Sequence, residues 1–132
     1  MKNQFRIISH RLRGFGLNDA SPNALRNAIS AGVKLLEVDI RFTQDGIPVI
    51  NHDPHLKASF NKDILIRNLT FKEIKLFNYS NDSDSILTLE ELLLETKDKS
   101  IILFLDIKEA GFEEYVYNML GSQYPLENIV II

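Results

Sequence analysis

The run SIILFLDIK, residues 100–108, constrains the fold more than any other stretch of the chain. Its apolar side chains follow one another without alternation, so both faces of a strand there are apolar. Such a strand needs cover on both sides, which a parallel sheet flanked by helices supplies. The surrounding pattern agrees. Residues 5–9 (FRIIS) read as a first short strand, and Ser21-Pro22 as the cap and first turn of a helix over 22–31 that stops at Gly32. Residues 34–42 are a strand with Leu36, Val38 and Ile40 on one face and Glu37, Asp39 and Arg41 on the other. TQDG is a turn, and residues 47–51 are the next strand. Residues 54–69 read as an irregular polar loop. Thr70 caps a short helix through Phe77, NDSDS is a turn, and Thr88 with Glu91 forms a capping box that opens a helix to about Thr96. A helix over 110–120 ends at Gly121, and NIVII is a fifth strand.

Strands alternating with helices are an α/β order. With 132 residues the chain has room for one domain, 1–132, and five strands are too few to close a parallel barrel, which needs eight in about 250 residues. The expectation is therefore the N-terminal half to five-eighths of a TIM-like barrel. Its last strand would leave an open edge, which a second copy of the chain could pair with in a homo-oligomer.

Composition removes several functions. The net charge is −3 with both signs interspersed, which argues against a nucleic-acid partner or a membrane held by bulk charge. The longest apolar runs are too short to span a bilayer, so no stable membrane insertion is expected. The N-terminus shows no signal-peptide pattern, and cytoplasm is the default location. There is no cysteine, which rules out disulfides and thiolate metal sites.

The ionisable residues collect at strand ends. His10-Arg11 follows the first strand, Glu37 and Asp39 lie toward the end of the second, His52-Asp53 closes the third, and Asp106 with Lys108 closes the fourth. In parallel α/β architectures the site lies at these carboxyl ends. Glu37 and Asp39 are two apart and share a face, as do Asp106 and Lys108. An E-x-D pair alone is ordinary on an exposed strand, and a lone histidine is ordinarily a loop residue. The conjunction is different. Three carboxylates meeting at one mouth cannot all stay ionised without a partner, and a hard divalent cation, Mg²⁺ or Ca²⁺, is the natural one. His10 and His52 would then transfer protons, while Arg11 and Lys108 would bind a phosphate. Such a set suits phosphodiester cleavage. His55 has no placed partner and reads as surface.

The strings HRLRGF, NDAS, the Glu37/Asp39 pair, TQDGIPVINHDPHL, ILTLEELL and LDIK together resemble the glycerophosphodiester phosphodiesterase family over nearly the whole chain. The resemblance implies a TIM-like barrel. It implies metal-dependent hydrolysis of glycerophosphodiesters to glycerol 3-phosphate and an alcohol, in lipid and glycerol metabolism, with a small-molecule glycerophosphodiester as partner. It further implies Glu37, Asp39 and Asp106 as metal ligands, His10 and His52 as acid and base, Arg11 and Lys108 as phosphate-binding residues, and Asp19 as an orienting residue. Three departures stand out. HRLRG carries two extra residues between arginine and glycine, so either Arg11 or Arg13 could take the phosphate place. Asp106 replaces a glutamate, and strands six to eight of the barrel have no counterpart. The alternative reading is an incomplete, inactive barrel piece that binds or assembles.

Overall fold

The alternation of apolar residues in LLEVDIRF builds the strand around which everything else pairs. The computed structural model describes residues 6–16, 20–56, 64–76, 85–121 and 124–132. In chain order its elements are β1 (Ser9–His10), α1 (Pro22–Ser30), β2 (Leu35–Phe42), β3 (Pro48–Ile50), β4 (His55–Leu56), β5 (Ile64–Leu65), α2 (Phe71–Lys75), β6 (Leu87–Thr88), α3 (Leu89–Thr96), β7 (Ile102–Ile107), α4 (Glu113–Leu120) and β8 (Ile129–Ile131), with 3₁₀ turns at Ile66–Asn68 and Leu126–Asn128. The main sheet runs β6-β3-β2-β7-β8, and β1 also pairs with β2.

One edge of β2 is shared by two strands. β1 pairs in parallel beside its first half, Ser9 with Leu36 and His10 with Glu37. β3 pairs antiparallel beside its second half, Ile40 with Ile50 and Phe42 with Pro48. The four-residue TQDG connection is too short for a parallel crossover, so the chain turns back as a hairpin. Gly46 takes a positive φ of 78° in that turn, and Thr43 Oγ1 donates to Asp45 Oδ1 at 2.6 Å. On the other edge β7 runs parallel to β2 over six pairs, from Leu35–Ile102 to Ile40–Ile107, and β8 lies parallel outside it.

The main core lies between the helices and one face of this sheet. Leu36, Val38, Ile40, Leu103 and Leu105 meet Ala24, Leu25 and Ala28 of α1, Leu92 and Leu93 of α3, and Val116 and Leu120 of α4. Each large side chain of this set contributes roughly 1.5–3 kcal/mol by leaving water. The other face carries Glu37, Asp39 and Arg41 on β2 and Phe104 and Asp106 on β7. The run over 100–108 is therefore less symmetric than its sequence suggests: Leu103 and Leu105 are buried, whereas Phe104 and Asp106 are half-buried on the polar face.

Helix starts follow their capping residues. Ser21 accepts from the Ala24 N–H at 3.1 Å, and Thr70 accepts from the Glu73 N–H at 3.2 Å. At α3 both halves of the capping box form: Thr88 accepts from the Glu91 N–H (3.1 Å), and Glu91 Oε2 accepts from the Thr88 N–H (2.9 Å).

Other expectations change. The first strand is seen at Ser9–His10: among the described residues only these of the first stretch pair with β2, while Ile7 and Ile8 are exposed. The stretch read as a loop over 54–69 holds a small ladder, His55 with Leu65 and Leu56 with Ile64. Leu56 and Ile66 anchor it in a second apolar cluster with Val49, Ile74 and Ile86. His55 is half-buried in that ladder rather than a plain surface residue. The expected helix end at Phe77, most of the NDSDS turn and Asp19 lie outside the described residues.

Thr88 joins β6 to α3 and is 7% exposed. Thr88→Ala is expected to lower the unfolding free energy by ~1 kcal/mol, read from urea denaturation, whereas Thr88→Ser should recover most of the loss.

Candidate active site

Three carboxylates converge on the polar face of β2 and β7. Asp39 and Asp106 are direct partners in the parallel ladder, and Glu37 lies two residues before Asp39 on the same face. One oxygen from each can be chosen so that all three lie within 4.8 Å of one another. Asp39 is 3% exposed. Placing three negative groups this close in a half-buried setting is costly. The pKa of Glu37 is pushed up, first by burial and then by repulsion from Asp39 and Asp106, against the attraction of Arg11 and Lys108.

Two cations partly offset the repulsion. Lys108 Nζ donates to Asp106 Oδ2 at 2.7 Å and lies 3.2 Å from Asp39 Oδ1. Its pKa is raised, chiefly by the bond to Asp106. Arg11 Nε lies 3.3 Å from Asp39 Oδ2, an ion pair without hydrogen-bond alignment. Arg11 reaches that place through an unusual turn. After β1, Arg11 and Leu12 both take positive φ, 58° and 57°. This conformation costs of order 1 kcal/mol or more for each non-glycine residue. Leu12, fully buried in the main core, holds the turn, and the Arg11 N–H donates to the Glu37 carbonyl at 3.0 Å. Of the two residues between Arg11 and Gly14, Leu12 is thus the buried plug that aims Arg11 at the carboxylates. Arg13 is exposed and lines a separate open pocket beside Ile7 and Phe15. Of the two arginines, Arg11 is the one at the carboxylates.

Both histidines belong to this end of the sheet. His10 Nε2 lies 3.4 Å from Glu37 Oε2. His52 arrives by a route that strand-end reasoning does not anticipate. β3 is antiparallel, so its end points back along β2. The hairpin carries β2 beyond the acids and returns, and the Asn51 N–H then donates to the Asp39 carbonyl at 3.1 Å. His52 follows directly. Its ring pairs with Asp53 (Nδ1 to Oδ1, 2.7 Å) rather than with the carboxylate triad, and its carbonyl accepts from Arg41 Nε and Nη2 at 3.1 and 2.7 Å.

Arg41 and Asp53 are the residues whose part the sequence left unassigned. Arg41 holds the backbone at His52, and Asp53 holds its ring. The available signals were Arg41 sharing a face with Glu37 and Asp39, and Asp53 following the histidine directly.

The donor set suits a hard divalent cation. All three groups offer oxygen, and Glu37 Oε2 and Asp39 Oδ2 are buried without a hydrogen-bond partner. Buried acceptors left in this state are costly unless something else binds them.

A sheet with helices on one face and an ionisable cluster at the tips of its parallel strands defines part of a (β/α) barrel with an acid-lined mouth. Residues 11–123 match the model of the Glycerophosphoryl diester phosphodiesterase family, and the chain belongs to that family. It is similar to glycerophosphodiester phosphodiesterase 1 of Homo sapiens, 34% identical over 119 residues, covering 82% of this chain and 36% of the relative. It is also similar to a glycerophosphodiester phosphodiesterase of Caldanaerobacter subterraneus, 26% identical, covering 96% of this chain and 56% of the relative. Among solved structures, an Oleispira antarctica phosphodiesterase in complex with the product sn-glycerol-3-phosphate superposes with a TM-score of 0.81 at 26% identity, covering 96% of this chain and 56% of the other. The Thermotoga maritima glycerophosphodiester phosphodiesterase gives 0.79 at 29% identity, with 97% and 54% covered. The chain thus spans about a third to just over half the length of these relatives. Its partial barrel is the architecture expected from the sequence. No helix among the described residues is long and apolar enough to cross a membrane.

The raised pKa of Glu37 has a consequence for stability. Its protonated form is the one the folded state prefers, so folding loses stability as pH rises from the ordinary carboxylate range through the raised value. In chelator-treated protein, Glu37→Gln is expected to raise the melting temperature at neutral pH, with the gain shrinking on acidification. An equal gain at every pH would show that repulsion among the acids is not its source.

Proposed function

We propose that the chain supplies the metal-binding and proton-transfer part of a glycerophosphodiester phosphodiesterase, which hydrolyses glycerophosphodiesters to glycerol 3-phosphate and an alcohol. The observation that carries this reading is the meeting of Glu37, Asp39 and Asp106 within 4.8 Å, flanked by Arg11, Lys108 and His10. Family membership and the likeness to a phosphodiesterase solved with sn-glycerol-3-phosphate support it.

Glu37, Asp39 and Asp106 would hold one divalent cation, Mg²⁺ or Ca²⁺. When bound, the cation would neutralise negative charge on the phosphate oxygens. Arg11 and Lys108, already turned toward the carboxylates, would take the remaining phosphate oxygens. Arg11 can do so through its unaligned guanidinium, and Lys108 as a point charge. His52 Nδ1 lies 2.7 Å from the Asp53 carboxylate, and a proton held there would leave Nε2 as an acceptor. That is the state a general base needs. His10, whose Nε2 lies 3.4 Å from Glu37 Oε2, would be the donor to the leaving alcohol. The alternative, an inactive binding module, gains nothing from unpartnered acid oxygens aimed at one point.

The test is release of sn-glycerol 3-phosphate from glycerophosphocholine by the full-length protein, with Mg²⁺ or Ca²⁺ and after chelation. Activity is expected with the cation and is expected to vanish without it. His10→Ala and His52→Ala should each lower kcat by roughly 10²- to 10⁴-fold. An active, chelator-resistant enzyme, or full activity in the double histidine variant, would overturn the assignment.

A further inference from the structure

Above the acids, the same face of the sheet turns basic. Residues two apart on a strand share a face, so Glu37, Asp39 and Arg41 form one column on β2, and Phe104, Asp106 and Lys108 form the facing column. Asp39 and Asp106 are level in the ladder, and the Lys108 N–H donates to the Ile40 carbonyl at 3.1 Å, one step further on. Arg41 and Lys108 therefore sit one tier nearer the rim than the carboxylates. They form one wall of an open pocket of ≈ 520 Å³ whose remaining lining is Pro54, Leu65, Arg67 and Glu109. Lys108 belongs to both places: its Nζ contacts Asp39 and Asp106, and it lines this pocket. A phosphodiester held at the triad would have one of its two ester arms directed here.

The charge of the pocket is uneven. Lys108 is balanced by its two aspartates. That leaves two guanidiniums against Glu109. Arg41 spends Nε and Nη2 on the His52 carbonyl, which neutralises no charge and fixes its position. Arg67 is exposed on the 3₁₀ turn Ile66–Asn68 and has no acid partner among the described residues. That turn is anchored by Ile66, 1% exposed, so the backbone presenting Arg67 is tied to the second apolar cluster. Pro54 and Leu65 give the pocket an apolar side that suits a short carbon chain.

We propose that this pocket receives the alcohol arm of the diester and selects alcohols that bear an acidic group, a phosphate or a carboxylate, with Arg67 as the specificity-determining residue. The inference rests on the phosphodiesterase reading and narrows its substrate class. An anionic arm gains the positive charge of Arg41 and the uncommitted guanidinium donors of Arg67. A quaternary ammonium arm meets like charge. The reaction itself is unchanged: water gives a proton to His52 as its oxygen bonds to phosphorus, the bond from phosphorus to the alcohol oxygen breaks, and that oxygen takes a proton from His10.

The experiment compares kcat/KM of the full-length protein for glycerophosphoglycerol, the same diester carrying a terminal phosphate on its alcohol arm, a glycerate analogue carrying a carboxylate there, and glycerophosphocholine. The phosphorylated or carboxylated arm is expected to be preferred over the neutral one by roughly tenfold, and the choline arm to be the poorest. Whichever acidic arm leads identifies the group the pocket was built for. Arg67→Gln should bring the acidic-to-neutral ratio close to unity, and Glu109→Gln should raise it. Opposite shifts from two substitutions in one pocket are not produced by general damage to the fold. Hydrolysis with a flat or choline-leaning profile, or a ratio indifferent to both variants, overturns this inference and leaves the phosphodiesterase reading standing. No hydrolysis of any of the four removes both.

Discussion

The parallel ladder between β2 and β7 sets Asp39 level with Asp106, and the rest of the site is built around the repulsion this creates. Two carboxylates on adjacent strands, with Glu37 two residues away, form a concentration of negative charge that a sheet face does not tolerate by default. The neighbouring cations are placed accordingly. Lys108 comes from the end of β7 itself and touches both aspartates. Arg11 comes from β1 through a turn of two left-handed residues, whose strain is balanced by burying Leu12 in the core. Even so, two acid oxygens stay buried without a hydrogen-bond donor. A fold selected for stability alone would not arrange its charges this way; the arrangement suits a site that binds a cation and a phosphate.

The hairpin β2–β3 gives the second organising constraint. By projecting past the acids and turning back, it delivers Asn51 and His52 beside Asp39 from a strand of opposite direction. It also makes room on one edge of β2 for both β1 and β3, so that His10 and His52 approach the same strand from the same side. Arg41 ties the two halves together through the His52 carbonyl. Above this level the face changes sign, from acidic to basic.

Much of this was legible in the residues. The continuous apolar run before Asp106 gave away a parallel strand, and the two-residue spacing of Glu37 and Asp39 put both on one face. Thr88 with Glu91 announced α3, and Ser21-Pro22 announced α1. His10, Asp39 and Asp106 come together at one end of the sheet because β1, β2 and β7 are parallel, although β2 itself runs on to Phe42. For His52 it reached the right neighbourhood by a different route, since β3 runs the other way. What stayed hidden depends on long-range pairing. Nothing local marks Leu87–Thr88 as a strand, because its ladder partner among the described residues is the distant β3. The pairing of Leu56 with Ile64 is likewise masked by the polar residues around them. Ile7 and Ile8 read as strand by propensity, yet only the next two residues find a partner on β2. The shared face marked Arg41, but its contact did not show, because its bonds go to a backbone carbonyl eleven residues away.

The central claim is that side chains from β2 and β7 jointly grip one cation. The most direct measurement is anomalous diffraction from crystals of the full-length protein soaked with Mn²⁺. The account predicts a single strong peak lying about 2.0–2.6 Å from oxygens of Glu37, Asp39 and Asp106 together. A peak bound elsewhere, or an empty site with Lys108 still bridging the two aspartates at saturating Mn²⁺, would contradict it.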